Sequence, residues 1–155
     1  MNFVGRTYEL DYLNRLYAQP SSSLCVVYGR RRIGKTRLLT HWLATRQLPG
    51  FYWVATDTSA VAVLRSFSHA LYRQLHGAPP ADPGFTYYDW DEAFHELARC
   101  ALQSPQKLVV ILDEFTYALE AYPDLTHKLQ AAWDQLLKQL PIFLVLSGSQ
   151  IGMME

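Results

Sequence analysis

The chain has 155 residues, half of them apolar and 18% charged, which suits one soluble globular domain with a core of its own. Lys plus Arg equals Asp plus Glu at 14 each, so the formal charge is zero; the clearly basic balance usual in nucleic-acid-binding domains is missing, and an acidic partner is left open. No apolar run approaches the ~18 residues of a membrane span, and Met1-Asn2-Phe3-Val4-Gly5-Arg6 lacks the basic-then-apolar layout of a secretory leader.

Cys25 and Cys100 lie inside apolar stretches without ligand-like spacing, and are expected to be free thiols in a reducing compartment. A cytoplasmic location follows as the expectation. His41, His69, His76, His95 and His127 are scattered, with no pair at i, i+4 and none near a cysteine in a ligand pattern. A metal site apart from Mg²⁺ is therefore not expected.

Taken in chain order, Ser21-Ser22-Ser23 is a short turn before the first apolar run, Leu24–Tyr28. Further runs are Phe51–Ala55, Leu108–Leu112 and Ile142–Leu146. None alternates polar with apolar, and each is short and rich in Val, Ile, Leu or aromatics. Such runs predict strands buried on both faces, as in a parallel sheet covered by helices. Between them lie stripes at helical spacing. Leu38, Leu39, Trp42 and Leu43 follow the first run; Leu64, Phe67, Leu71 and Leu75 follow the second, with Gly77 as a stop. A loop from Ala78 to about Tyr88 holds Pro79, Pro80, Pro83 and Gly84. Trp90, Phe94, Leu97 and Ala101 mark a third helix, and Leu125, Leu129, Trp133, Leu136 and Leu140 a fourth, stopped by Pro141. Trp42, Trp53, Trp90 and Trp133 fall on these stripes or strands and are expected to pack the core. The cluster of Tyr87, Tyr88 and Trp90 is expected to pin the loop down rather than to form a binding surface. Strand and helix alternate throughout, so the class is α/β with right-handed crossovers.

Gly29-Arg30-Arg31-Arg32-Ile33-Gly34-Lys35-Thr36 matches G-x-x-x-x-G-K-[ST] at every fixed position, after a predicted strand and at the opening of a predicted helix. Glycines permit the tight turn that aims backbone N–H groups at phosphates, and the helix N-terminus adds favourable dipole charge. Lys35 is expected to reach the β- and γ-phosphates of ATP, and Thr36 to ligate Mg²⁺. Arg37, next in the chain, joins the loop residues as a nucleotide-binding candidate. At least two of Arg30, Arg31 and Arg32 read as solvated residues that raise the local potential; one is a candidate for phosphate or for a partner subunit.

The run Leu108–Leu112 ends in Asp113-Glu114. Ligands of parallel sheets bind at the carboxyl ends of strands, which sets Asp113 beside the phosphate loop as a second Mg²⁺ residue and Glu114 as the carboxylate that polarises the attacking water. A solvent-facing or capping pair is the plain alternative, weakened by the phosphate loop upstream. The last run leads into Ser147-Gly148-Ser149-Gln150. Ser147, Ser149 and Gln150 are candidates for sensing the γ-phosphate, with Ser149 carried forward, and an ordinary strand exit is the alternative.

These segments together resemble the archaeal-type ATPases of the STAND and AAA+-like branch of P-loop NTPases, which carry an additional strand and a catalytic Glu. The resemblance rests on Phe3-Val4-Gly5-Arg6 with Glu9, Leu10 and Leu13, on Tyr28–Thr36, on Asp113-Glu114-Phe115 and on Ser147-Gly148-Ser149, and it covers almost the whole chain. It implies a three-layer sandwich with sheet order 5-1-4-3-2, Gly5 and Arg6 near the adenine, and ATP hydrolysis with Mg²⁺. Family members continue past the Gly-Ser motif with a fifth strand, a helical lid and usually a winged-helix region. The sequence stops at Glu155, so residues 1–155 are expected to be one ATPase domain lacking its C-terminal end, with the Leu24–Tyr28 strand left at an edge and open to self-association. DNA or protein partners are implied only through the missing regions. A nucleotide-gated switch with little turnover is the rival reading; a small-molecule kinase is a weaker one, disfavoured by Glu114.

Overall fold

A computed structural model of the chain describes residues 7–28 and 34–148. In chain order the elements are α1 Thr7–Tyr17, β1 Ser23–Tyr28, α2 Lys35–Arg46, β2 Gly50–Val54, α3 Ala60–His76, α4 Trp90–Gln103, β3 Leu108–Asp113, α5 Phe115–Ala121, α6 Leu125–Gln135, a single 3₁₀ turn Leu137–Gln139, and β4 Ile142–Gly148. The four strands form one parallel sheet in the order β1-β4-β3-β2.

Successive side chains on a strand point to opposite faces, and β3 divides the core on that basis. Val109 and Ile111 join Phe143 and Val145 of β4 against Leu13 of α1 and Leu38, Leu39 and Trp42 of α2. Leu108, Val110 and Leu112 join Leu144 and Leu146 against residues of α3, α4, α5 and α6. The result is three layers with a core on each side of the sheet. The larger core centres on Phe67, which is fully buried and meets Phe51, Trp53, Trp90 and Phe94 at ring-centroid distances of 5.1–6.3 Å. Local signals start the helices as expected of caps. Ser59 accepts from the Ala62 N–H; Asp89 accepts from the Glu92 N–H while Glu92 reaches back to the Tyr88 N–H.

Several expectations need correction. Only β3 and β4 are buried along their whole length. β2 alternates, with Phe51 and Trp53 buried and Tyr52 half-buried, because it lies at a sheet edge. β1 lies at the opposite edge, where Leu24 is 43% exposed. The predicted fourth helix ends at Gln135 rather than 140: Leu136 departs from helical geometry (φ −136°, ψ −61°), and a 3₁₀ turn carries the chain to Pro141. Two helices escaped the periodicity, α1 and α5, the latter only seven residues long. In the aromatic cluster Tyr87 and Trp90 pack inward, but Tyr88 is 89% exposed and pins nothing.

This contrast is testable. Phe67→Ala should cost about 3–5 kcal/mol, as for a large aromatic removed from a closed core, and Tyr88→Ala less than about 0.5 kcal/mol. Urea denaturation followed by circular dichroism measures both; comparable losses would contradict the placement of the core.

Candidate functional site

The parity that splits the core also assembles a polar cluster at the carboxyl ends of the strands. Asp113 lies two residues beyond Ile111, and Ser147 two beyond Val145, so both point toward α2. On β2, Tyr52 faces the same side, between Phe51 and Trp53, which face the other. Parallel register sets Val54 opposite Asp113 and Val27 opposite Ser147.

The Asp113 side chain is 1% exposed and accepts four hydrogen bonds. Oδ1 accepts from Ser147 Oγ at 2.6 Å and from the Glu114 N–H at 2.9 Å. Oδ2 accepts from Thr36 Oγ1 at 2.7 Å and from the Tyr52 hydroxyl at 2.6 Å. Burial by itself pushes the Asp113 carboxyl up; the bonds from Ser147, Thr36, Tyr52 and the Glu114 N–H outweigh it and hold the pKa below the ordinary value. Tyr52 is pushed up, first by burial and then by its bond to Asp113, so it stays a donor.

Lys35 and Thr36 open α2. Gly34 caps the helix at φ 83° without a side-chain bond, in the left-handed region that glycine enters without strain, and the first turn holds no acidic residue. This leaves a positive helix end directed at the cluster. Lys35, 2% exposed, extends to Glu114, whose Oε1 lies 3.0 Å from its Nζ. Glu114 itself has φ 52° and ψ 41°, a left-handed conformation that costs a non-glycine residue roughly 1–2 kcal/mol. Its carbonyl accepts from the Tyr117 N–H at 3.0 Å. The turn reverses the chain from β3 straight into α5 and leaves the Glu114 side chain beside Lys35. Glu114 also borders a cavity of about 370 Å³ lined by Val54, Ala55, Thr56 and Tyr117.

Of the sequence-derived candidates, the structure brings together Lys35, Thr36, Asp113, Glu114 and Ser147, with Gly34 at the helix start. Arg37 lies on the exposed side of α2. Gly5, Arg6, Gly29, Arg30, Arg31, Arg32, Ile33, Ser149 and Gln150 lie outside the described residues. Sequence reasoning missed Tyr52. Its signal was present but faint: a lone hydroxyl in an aromatic strand, on the face that the neighbouring strand's Asp113 must share.

A carboxylate and a hydroxyl from two elements fit the sparse protein ligation of Mg²⁺, which relies on one or two carboxylates plus phosphates and water. No cluster of three or more His, Cys, Asp or Glu residues able to hold a metal occurs among the described residues. No described helix is long and apolar enough to cross a membrane.

Residues 3–155 match the family described as an ATPase domain predominantly from Archaea. The chain belongs to that family. An uncharacterised protein of Methanocaldococcus jannaschii is 28% identical over 154 residues, 98% of this chain and 30% of that protein. Among solved structures, the Walker-type ATPase PABY2304 of Pyrococcus abyssi superposes with TM-score 0.62 at 21% identity, over 96% of this chain and 46% of that one. The ORC2 protein of Aeropyrum pernix, solved in ADPNP and ADP complexes, gives 0.61 at 22%, over 96% and 42%. At these identities the likeness carries the fold, that of P-loop ATPases. This ATPase domain spans less than half the length of each of these proteins.

The depressed Asp113 pKa makes a linkage prediction. The unfolded value lies near 3.8, so the stability added by ionised Asp113 is complete above that pH and is lost as pH falls through the lower folded pKa. In chelator, Asp113→Asn should be less stable at pH 7 by about 1.5–3 kcal/mol, the worth of one hydrogen bond to a charged group. The deficit should shrink below pH ~4. Urea melts from pH 7 to the lowest pH at which both proteins fold test this, and a constant deficit would refute it.

Proposed function

We propose that this ATPase domain binds ATP with Mg²⁺ and hydrolyses it to ADP and phosphate. The observation that carries the reading is the pair of adjacent carboxylates with separate environments. Asp113 is buried, ionised and bonded to Thr36; Glu114 faces Lys35 and a cavity. In this reading Gly29–Thr36 cradle the phosphates, Arg30, Arg31, Arg32 and Arg37 raise the potential around them, and Gly5 and Arg6 lie near the adenine. Thr36 and Asp113 would hold Mg²⁺, which when bound would supply neutralisation of the phosphate charge.

Lys35 neutralises charge on the transferring phosphoryl group. Glu114 orients a water and accepts its proton as oxygen bonds to the γ-phosphorus and the bridging P–O bond breaks. The Lys35–Glu114 pair gives the two roles an order. Phosphate oxygens compete for the Lys35 ammonium, and only then does Glu114 turn to water. A nucleotide-gated switch of the STAND type with little turnover is the second reading, and the Lys35–Glu114 pair is the observation that favours it. Ser147 orients Asp113, and Ser149 is assigned to the γ-phosphate. The finer architecture belongs to the same proposal: order 5-1-4-3-2, with a further strand beside β1 and a lid beyond residue 155, and a cytoplasmic setting.

Two substitutions test the reading. Lys35→Ala should lower Mg·ATP affinity at least tenfold, the scale of about 1.4 kcal/mol, with the circular dichroism spectrum unchanged. Glu114→Gln should bind ATP at least as tightly as the native chain and lose hydrolysis by about 10²-fold or more, measured as phosphate release in the full-length protein. Native turnover by Glu114→Gln removes Glu114 from the chemistry; native affinity in Lys35→Ala removes the nucleotide site.

A further inference from the structure

A carboxylate offers about four lone-pair positions, and Asp113 has four donors. It is saturated. If Asp113 serves Mg²⁺ as proposed above, it must accept a metal-bound water or meet the metal itself, and one donor must give way.

The four donors differ in what withdrawal would require. Ser147 is fully buried in β4, in register with Val27, and the Glu114 N–H is main chain in a left-handed turn. Withdrawing the Ser147 hydroxyl would leave it buried without this partner, and moving the Glu114 N–H would disturb the β3–α5 turn. Thr36 need not leave. A hydroxyl has one hydrogen and two lone pairs, so it can donate to Asp113 while its oxygen faces a cation. Tyr52 is different. It comes from the edge strand β2 on a long side chain that is half-buried, so its hydroxyl can pass into water when displaced. It shares Oδ2 with Thr36, the oxygen on the side of the phosphate helix.

We propose that the Tyr52 hydroxyl occupies on Asp113 Oδ2 the position that a metal-bound water takes in the Mg·nucleotide complex, so that the domain's own side chain competes with magnesium. Tyr52 is then a positioning residue with a double effect. It holds Asp113 correctly turned before the metal arrives, and it raises the Mg²⁺ concentration needed to load the site. Metal loading breaks one short bond to a charged acceptor and forms another in its place.

The test is a Mg²⁺ titration of the chain with ADP, read by calorimetry or by a fluorescent ADP. Tyr52→Phe keeps the ring and removes the donor. Apparent Mg²⁺ affinity should rise about tenfold, the scale of one hydrogen bond to a charged group, while ADP affinity in EDTA stays within about twofold. Tyr52→Leu, a second donorless variant, should do the same wherever the first folds poorly. A merely structural tyrosine would lower both affinities when removed, not raise one. A fall or no change in Mg²⁺ affinity in a folded variant overturns the proposal, and loss of folding in both variants overturns it too by assigning Tyr52 to the core. Failure of the underlying reading has a separate signature: ADP binding by the native chain that ignores Mg²⁺ and is unaltered by Asp113→Asn, which takes this inference down with it.

Discussion

A buried carboxylate must be met by donors, and the site of this domain is organised by meeting that demand at Asp113. An unpaired charge at 1% exposure would cost several kcal/mol. Asp113 avoids that cost by drawing one donor each from α2, β2, β4 and its own turn. Those four bonds fix α2 to the sheet and set the relative height of three strands at their carboxyl ends. The apolar layers explain why the sheet forms; the carboxylate explains why its functional end has one geometry.

The neighbouring residue shows how two adjacent acids acquire unlike surroundings. Strand alternation ends at Asp113, because Glu114 enters a left-handed turn instead of a sixth extended step. The side chain that would have pointed into the larger core is rotated out to Lys35. The strain of the turn is balanced locally, by the Asp113 Oδ1 bond to the Glu114 N–H and by the Tyr117 N–H on the Glu114 carbonyl. Desolvation, hydrogen bonding and backbone geometry thus act together over two residues.

Much of this was legible in the sequence, and the rest was hidden for identifiable reasons. The four strands are short, apolar and separated by helical stripes, so their existence followed from pattern. Lys35, Thr36, Asp113 and Glu114 followed from motif and strand position. The edge positions did not, because an apolar run such as Leu24–Tyr28 looks the same whether a neighbour covers it or not. α5 was illegible because seven residues give too few turns to show a period. Helix α1 holds Leu10, Leu13 and Leu16 at helical spacing, a stripe of three residues that is short beside those of α3 and α4. Tyr52 was illegible one strand at a time; only the register between β2 and β3 reveals that it shares Asp113's face.

The opposite end of the sheet is held by the inverse arrangement, one cation among many acceptors. Lys107 Nζ lies within 3.4 Å of the carbonyls of Leu16, Tyr17, Gln19 and Ser21 and of Ser23 Oγ. Helix C-termini leave such carbonyls without partners, and α1 ends there. Lys107 and Arg46 stand 5.7 Å and 5.6 Å from the Tyr17 ring centroid, and the Tyr17 hydroxyl donates to the Lys107 carbonyl at 2.9 Å. Burial lowers the Lys107 pKa, but the surrounding oxygens favour its charged form. Lys107 and Asp113 stand near the two ends of β3, so one strand carries both anchors. The lysine end ties α1, the β1 entry and β3 into a fixed base. At the aspartate end one of the four donors, Tyr52, comes from a half-buried side chain on an edge strand and can exchange partners. A rigid base and an exchangeable top are what a parallel sheet needs if binding at its carboxyl ends is to change bonds there without disturbing the layers beneath.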